Sequence, residues 1–413
     1  MEQLLAARGH TLVPFDGPAD AYIINTCTVT AVSDKKSRQM IRRARKQAPE
    51  AVVAVCGCYS QTHPEDLARL PVDLVAGTGD RLGFLALLEE ELEARRPITS
   101  LDDALRRREF EHLPAGGLDG RTRAMLKIED GCRNFCTYCI IPYARGPVRS
   151  LPLSDAAAAA ARLAEAGYRE IVLTGIEISS WGQDLPGGES LIDLLEALSR
   201  TLPPQLRLRL GSLEPRTITE DFCRRAAALP QLCPHFHLSL QSGCDSVLRR
   251  MNRKYDAARY RQSVDLLRRF FDTPAITTDL IVGFPGETEE EFAASLRFVE
   301  DCGLAEIHVF PYSIRPGTPA ARMEQVPKAR KEERAARAGQ TARTLHRAYL
   351  EQWVGRTVPV LFEETGADGL WRGHAPNYMI VEAAGEQLHN RTLPVRLTGT
   401  DGEVLLGEPA ERP

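Results

Sequence analysis

The chain has no run of apolar residues near the roughly 20 that a bilayer-spanning helix needs. Its first residues, Met-Glu-Gln-Leu-Leu, carry neither the basic start nor the apolar core of a secretion signal. No membrane partner and a cytoplasmic location are expected. Net charge is scarce as well: −4 over 413 residues, so any contact with nucleic acid must come from a local basic patch and not from the surface as a whole. No repeat of fixed period is present, and no low-complexity segment beyond one alanine run, which excludes solenoids. His63, His235, His237, His308 and His374 lack ligand spacing and are read as packing or polar surface.

Cysteine, by contrast, is well supplied, with ten residues. In a reducing compartment these point to metal or redox use where they cluster and to plain buried thiols elsewhere. Cys223, Cys233, Cys244 and Cys302 lie apart and are read as buried thiols. Cys132, Cys136 and Cys139 fall in the run Gly-Cys-Arg-Asn-Phe-Cys-Thr-Tyr-Cys-Ile. Three thiolates on one short loop can take three corners of a 4Fe-4S cluster and leave one iron open to a substrate. Zinc would want two Cys-x-x-Cys pairs or added histidines, and three cysteines cannot all pair as disulfides.

With 413 residues and 43% hydrophobic content, two or three domains are expected. Residues 1–95 alternate strands (21–25, 51–55, 72–76) with helical pieces (34–47, 64–70), which predicts a small open parallel α/β sheet. Residues 96–120, with Arg-Arg-Pro and Pro-Ala-Gly-Gly, read as a linker. From 121 to 350 six strands (124–128, 170–174, 206–210, 235–240, 275–282, 306–312) alternate with helices, predicting a partial, TIM-like (β/α)6 barrel with reactive groups at the carboxyl ends of its strands. A charged helix follows Pro327, and short alternating runs at 357–363, 378–383, 393–397 and 404–406 predict a small β-barrel over 351–413.

The three-cysteine loop with Tyr138 before its last cysteine resembles the signature of radical S-adenosylmethionine (SAM) enzymes. Ile24–Thr30, Gly57–Gln61, Leu208–Pro215, His237–Cys244 and Thr278–Thr288 extend the likeness from Asp20 to about Gly407. Over that span the chain resembles the methylthiotransferase family, and most of all its threonylcarbamoyladenosine tRNA branch, to which Thr28-Val29-Thr30, Asn252-Arg253-Lys254 and Phe310-Pro311-Tyr312 point. The resemblance implies a radical SAM barrel and a terminal TRAM domain, an OB-like RNA-binding barrel. It also implies SAM contacts at Tyr138, Gly175, Glu177, Ser212, Glu214, Gln241 and Gly283, although Ile176 stands where the superfamily has glycine.

The resemblance further implies a second 4Fe-4S cluster, held by three cysteines, that carries the sulfur to be inserted. Cys27 and Cys58 each follow a predicted strand and match two of the three. Relatives open with a strand and a Gly-Cys loop, whereas this chain opens in what resembles the next helix, residues 2–8. Two readings stay open: the start lies upstream, or Cys56 substitutes as ligand.

Lys35, Lys36, Arg38, Arg42 and Arg43, with Arg45 and Lys46, form a basic run with only one acid, Asp34. Such a run is usually a solvated face, but between two cysteine loops it is a candidate tRNA-phosphate surface. Arg343, His346, Arg347 and Arg356 extend the candidate path. The expected activity is exchange of the aromatic C–H at carbon 2 of a hypermodified adenine beside the anticodon for a methylthio group. Expected partners are the tRNA anticodon stem-loop, an electron donor such as flavodoxin or ferredoxin, and sulfur-delivery proteins. Rivals are action on isopentenyladenosine, action on a ribosomal-protein aspartate, and a tRNA-binding protein that has lost sulfur insertion.

Overall fold

Alternate residues of one strand feed two different apolar layers, and this is what builds the first sheet. The computed structural model describes residues 1–115 and 120–410. Strands β1 (Ala21–Thr26), β2 (Val52–Gly57), β3 (Leu74–Ala76) and β4 (Ile98–Ser100) pair in that order, all parallel. Val53 and Val55 face Ile41 and Ala44 of α2 (Ala31–Gln47), together with Tyr59 and Leu67. Val52, Ala54 and Cys56 face Leu5 of α1 (Glu2–Ala7) and Phe84, Leu85 and Leu88 of α5 (Arg81–Ala94). Between them come the short helices α3 (Cys58–Thr62) and α4 (Pro64–Leu67). A strand buried on both faces reads as an apolar run, as Val-Val-Ala-Val-Cys does.

Part of the span read as a linker is ordered into this sheet: β4 lies within it, and Arg107 donates to Thr78 Oγ1 (2.6 Å) and the Gln61 side chain (2.9 Å). Gly116 and Gly117 of that span lie outside the described residues.

The described chain forms two compact units. One comprises Met1–Pro114, Asp130–Arg149 and Ser313–Arg322, so it takes in the three-cysteine loop and the helix after it, α6 (Ile141–Arg145). The other comprises Ala115–Glu129, Ser150–Tyr312 and Met323–Pro413. The sequence boundaries at 121 and 351 therefore do not coincide with the compact units.

In the second unit, β5 (Arg123–Lys127), β6 (Glu170–Thr174) and β7 (Arg207–Leu210) make one parallel sheet. Strands β8 (His235–His237), β9 (Ala275–Val282) and β10 (Glu306–Pro311) make another. Beyond His237 the chain turns towards β7, where Leu213 and Leu238 bridge, so β8 ends earlier than the predicted 240 and the two halves join into one curved six-stranded wall. Helices α7 (Leu153–Glu165), α8 (Leu191–Thr201), α9 (Glu220–Ala227), α10 (Asp245–Arg250), α11 (Ala257–Phe270) and α12 (Glu289–Cys302) fill the crossovers. Thr288 and Glu291 close a capping box at the start of α12.

Helix α13 (Lys328–Glu351) leads into a closed five-stranded barrel of β11 (Thr357–Thr365), β12 (Trp371–His374), β13 (Ile380–Ala383), β14 (Thr392–Thr400) and β15 (Leu405–Pro409), ordered β11-β12-β13-β15-β14. Its core of Val358, Val360, Phe362, Val381, Val395 and Leu405 continues through Tyr349 and Leu350 of α13 to Ala275 and Ala305. The small barrel thus packs on the amino ends of the larger barrel's strands.

Candidate active site

Between Gly131 and Ile140 the backbone has no regular structure, and the loop is shaped by backbone contacts. Gly131 sits at φ +94°, where an added Cβ would lie 2.0 Å from the Pro147 carbonyl oxygen, so only glycine brings the chain in this closely. Cys132 N–H donates to Gly146 O (3.0 Å), Cys139 N–H to Cys136 O (2.9 Å) and Asn134 N–H to the Cys132 sulfur (3.4 Å). Cys136 is buried, while Cys132, Tyr138 and Cys139 are partly exposed. Three thiols on one loop, with a loop N–H turned towards one sulfur, are the donor chemistry an iron–sulfur cluster takes, since N–H donors stabilise thiolate ligands; among the described residues their side chains do not close into a group of three that could hold a metal ion.

Cys27 and Cys58 lie in the same compact unit as this loop. Thr26 and Gly57 are direct partners across β1 and β2, so the two cysteines leave adjacent strands at matching positions on the carboxyl edge, where open α/β sheets bind ligands. Cys27 is exposed and Cys58 is buried at the start of α3. Cys56 is placed differently. Gly57, at φ +107°, turns the chain out of the strand, which ends the strand-side parity that Cys56 and Cys58 share on paper. The Cys56 thiol lies in the apolar layer with Leu74 and Phe84, and burial pushes it up to about 11.

Two connections within this unit were not visible in the sequence. Helix α3 packs against α6, whose last residue, Arg145, pairs with Asp130 Oδ2 (3.4 Å). The segment 313–322 straps both cysteine loops. Arg315, 3% exposed, pairs with Asp34 Oδ2 (2.6 Å) and donates to Thr28 O (3.1 Å) beside Cys27. Further along, Ala320 N–H donates to Thr137 O (2.9 Å) between Cys136 and Cys139.

In the second unit, Gly175, Ser212, Gln241 and Gly283 gather at the carboxyl ends of β6, β7, β8 and β9. The buried Glu129 carboxylate accepts from the Ile176 and Glu177 N–H groups (2.9 and 2.7 Å), and a Cβ at Gly175 would lie 2.7 Å from its Oε2. Glu177 turns inward and caps the next turn, accepting from Ser180 Oγ (2.6 Å) and Ser179 N–H (3.2 Å). Burial, with Glu214 nearby, raises its carboxyl above the usual range. Glu214 holds Arg216 with both oxygens (2.8 and 2.9 Å). Gln241 is buried at φ +68°, and Gly283 at φ +67° donates to Glu287 Oε2 (2.6 Å). Burial pushes Glu287 up to about 7 against the opposing pull of that N–H and of Arg334. Apart from Glu287, which lies in the Thr278–Thr288 run, the supporting groups Glu129, Arg145, Arg315 and Arg334 were missed; the Glu129-Asp130 pair just before Gly131 was the available signal.

Of the basic run on α2, Lys35, Lys36 and Arg42 are exposed. Arg38 is held by Tyr59 Oη (2.8 Å) and Arg43 pairs with Asp16. His346, on the candidate extension, bonds Ala305 O (2.9 Å).

The Radical SAM superfamily pattern matches residues 126–299, and that of an uncharacterized protein family, UPF0004, matches residues 1–77. A Bacillus subtilis threonylcarbamoyladenosine tRNA methylthiotransferase, MtaB, is 40% identical over 93% of this chain and 86% of its own length. The MtaB of Thermotoga maritima is 36% identical over 94% and 88%. A tRNA-2-methylthio-N(6)-dimethylallyladenosine synthase of Symbiobacterium thermophilum is 35% identical over 100% and 91%. Among solved structures, the radical SAM methyltransferase TsrM of Kitasatospora setae shares the fold, with a TM-score of 0.55 and 16% identity over 73% of this chain and 65% of that one. With the cysteine loop following the first strand of a six-stranded parallel wall, and with relatives of this identity along nearly the whole length, the chain belongs to the methylthiotransferase family of radical SAM enzymes.

Proposed function

We propose that this enzyme converts N6-threonylcarbamoyladenosine beside the tRNA anticodon to its 2-methylthio derivative. The observation that carries the reading is the 40% identity to an MtaB over 93% of the chain, with both cysteine groups in one compact unit. Cys132, Cys136 and Cys139 hold the 4Fe-4S cluster, and Cys27 and Cys58 contribute to a second one. With bound SAM, the first supplies the radical chemistry that an unactivated aromatic C–H requires, since no side-chain base removes such a proton. Around the SAM position, Glu129 fixes the Gly175–Glu177 turn, Gln241 offers its side chain and Gly283 its backbone to the ligand, and Ser212 and Glu214 border it. Tyr138 gives an aromatic surface beside the last cysteine.

Lys35, Lys36 and Arg42 present positive charge to tRNA phosphates, and the terminal barrel has the closed five-stranded form of an OB-like RNA-binding module. Because that barrel packs at the amino ends of the strands, an RNA held there and at the carboxyl-end loops passes along the outside of the larger barrel. No helix among the described residues is long and apolar enough to cross a membrane; the cytoplasm, with flavodoxin or ferredoxin as electron donor and separate sulfur-delivery proteins, completes the proposal.

The test is deletion of the gene followed by mass spectrometry of nucleosides from digested tRNA. Loss of 2-methylthio-threonylcarbamoyladenosine, restored when the gene is returned, is expected. Loss of the 2-methylthio-isopentenyl nucleoside instead would transfer the assignment to the substrate class named for the Symbiobacterium relative.

A further inference from the structure

Strand β8 sorts its three residues by side. The Phe236 ring packs on Phe271 at the end of α11 (4.8 Å), so His235 and His237 face the inside of the larger barrel. His235 stacks on Tyr378 at the amino-end floor (5.0 Å). His237, one step higher, is fixed on two sides: its Nδ1 lies 3.0 Å from Thr277 Oγ1 and its Nε2 3.5 Å from Asp279 Oδ2. The carboxylate favours the tautomer protonated at Nε2 and leaves Nδ1 to accept from the hydroxyl. Asp279 is paired across β9 and β10 with His308, whose ring stacks on that of His237 (5.8 Å between centres, 25° between planes). The neighbouring Ile307 turns outward and is buried, whereas the His308 side chain is 46% exposed on the inner face.

We infer that His308, backed by the fixed pair of His237 and Asp279, recognises the polar group on N6 of the target adenine and selects it over an apolar one. This rests on reading the substrate as N6-threonylcarbamoyladenosine. The Asp279 carbonyl accepts from the N–H of Gln241 (2.9 Å), a candidate SAM contact, so this wall begins directly beneath the SAM level. An adenine whose carbon 2 meets SAM at that level carries its N6 substituent only a few bonds away, within reach of the wall. A threonylcarbamoyl group brings a urea N–H, a hydroxyl and a carboxylate, which Asp279 and the two imidazoles match as acceptor and donors. An isopentenyl group in the same place would strip water from these side chains and return no hydrogen bond. A site built for polar partners rejects an analogue that lacks them.

The experiment measures equilibrium binding of the full chain, by fluorescence anisotropy, to three synthetic anticodon stem-loop RNAs. They are identical except at the target base, which is N6-threonylcarbamoyladenosine, N6-isopentenyladenosine or adenosine. The wild type is expected to prefer the threonylcarbamoyl RNA over the other two by about tenfold, the worth of one hydrogen bond. His308→Ala should abolish that preference by weakening the threonylcarbamoyl RNA alone, and His308→Gln, which keeps a hydrogen-bonding group, should retain part of it. An undiminished preference in His308→Ala, or equal weakening of all three RNAs by both variants, overturns the inference and leaves the substrate reading standing. A wild type that prefers the isopentenyl RNA, or none of the three, overturns that reading and the inference with it.

Discussion

Among the candidate SAM contacts outside glycine, Gln241 alone holds a positive φ, +68°, in a region that costs an L-residue roughly 1–2 kcal/mol. A buried residue kept there against glycine's advantage is a sign of side-chain function. Gln241→Gly is expected to raise the unfolding free energy by about 1 kcal/mol while weakening SAM binding several-fold, read by chemical denaturation and equilibrium dialysis. Unaltered SAM binding would take Gln241 out of the site. Residues of this kind differ in how well sequence reveals them. The three cysteines stand out as candidates in the sequence because their spacing is local and thiolate chemistry is narrow. Arg145 and Arg315 were not, because an arginine that ends buried against a distant partner looks in sequence like any of the solvated ones. Glu129 lay hidden for the same reason, since its partners are backbone N–H groups of a distant turn.

At the scale of elements, the basic helix α2 shows how tertiary structure divides a charge run. Thr30 caps it, with its hydroxyl accepting from Ser33 N–H (3.2 Å), and Ile41 and Ala44 bury its inner stripe. Arg43 is engaged by Asp16, so exchanging Lys35, Lys36 and Arg42 for Glu tests the outward charge more cleanly than a change at Arg43. Weaker tRNA binding is expected, with a salt dependence flattened by roughly 0.7–0.9 in log–log slope for each phosphate that is no longer neutralised. Filter binding over a series of salt concentrations measures it; binding and slope both unchanged would clear α2 of the role. The strands were mostly legible, and β6 and β9 match their predicted limits. Strand β12 was missed because Gly373 interrupts its pattern, and β4 because three residues after a proline carry little periodicity. Tyr378, expected to open β13, lies at φ +69° and stacks between His235 and His374 (5.0 and 4.7 Å), so that strand begins at Ile380.

For the whole molecule, the seam under the larger barrel carries unusual charge. Arg209 pairs with the fully buried Glu170 (2.7 Å) and reaches Pro376 O (2.8 Å), while Glu363 accepts from Thr122 (2.8 Å), Arg123 (2.5 Å) and His374 (2.5 Å). Burial pushes the Glu363 carboxyl up, but His374 and Arg123 prevail and hold it at about 2, below the ordinary 4.5. A carboxyl with a depressed folded-state value contributes stability above its unfolded value and loses it as pH falls towards the folded one. The wild type should therefore lose stability between about pH 4.5 and 2 more steeply than Glu363→Gln, as followed by denaturant unfolding across that range; parallel profiles would remove Glu363 as the cause. Sequence indicated the two barrels but not this seam, nor that the first unit borrows residues 313–322 from beyond the large barrel. That borrowed strap sets an order in time. During synthesis Cys27 and Cys58 emerge early, yet Arg315 and Ala320 follow roughly tens of seconds later at typical elongation rates. In a nascent chain the loops that carry Cys27 and Cys58 thus stay without their strap until the large barrel has almost been made.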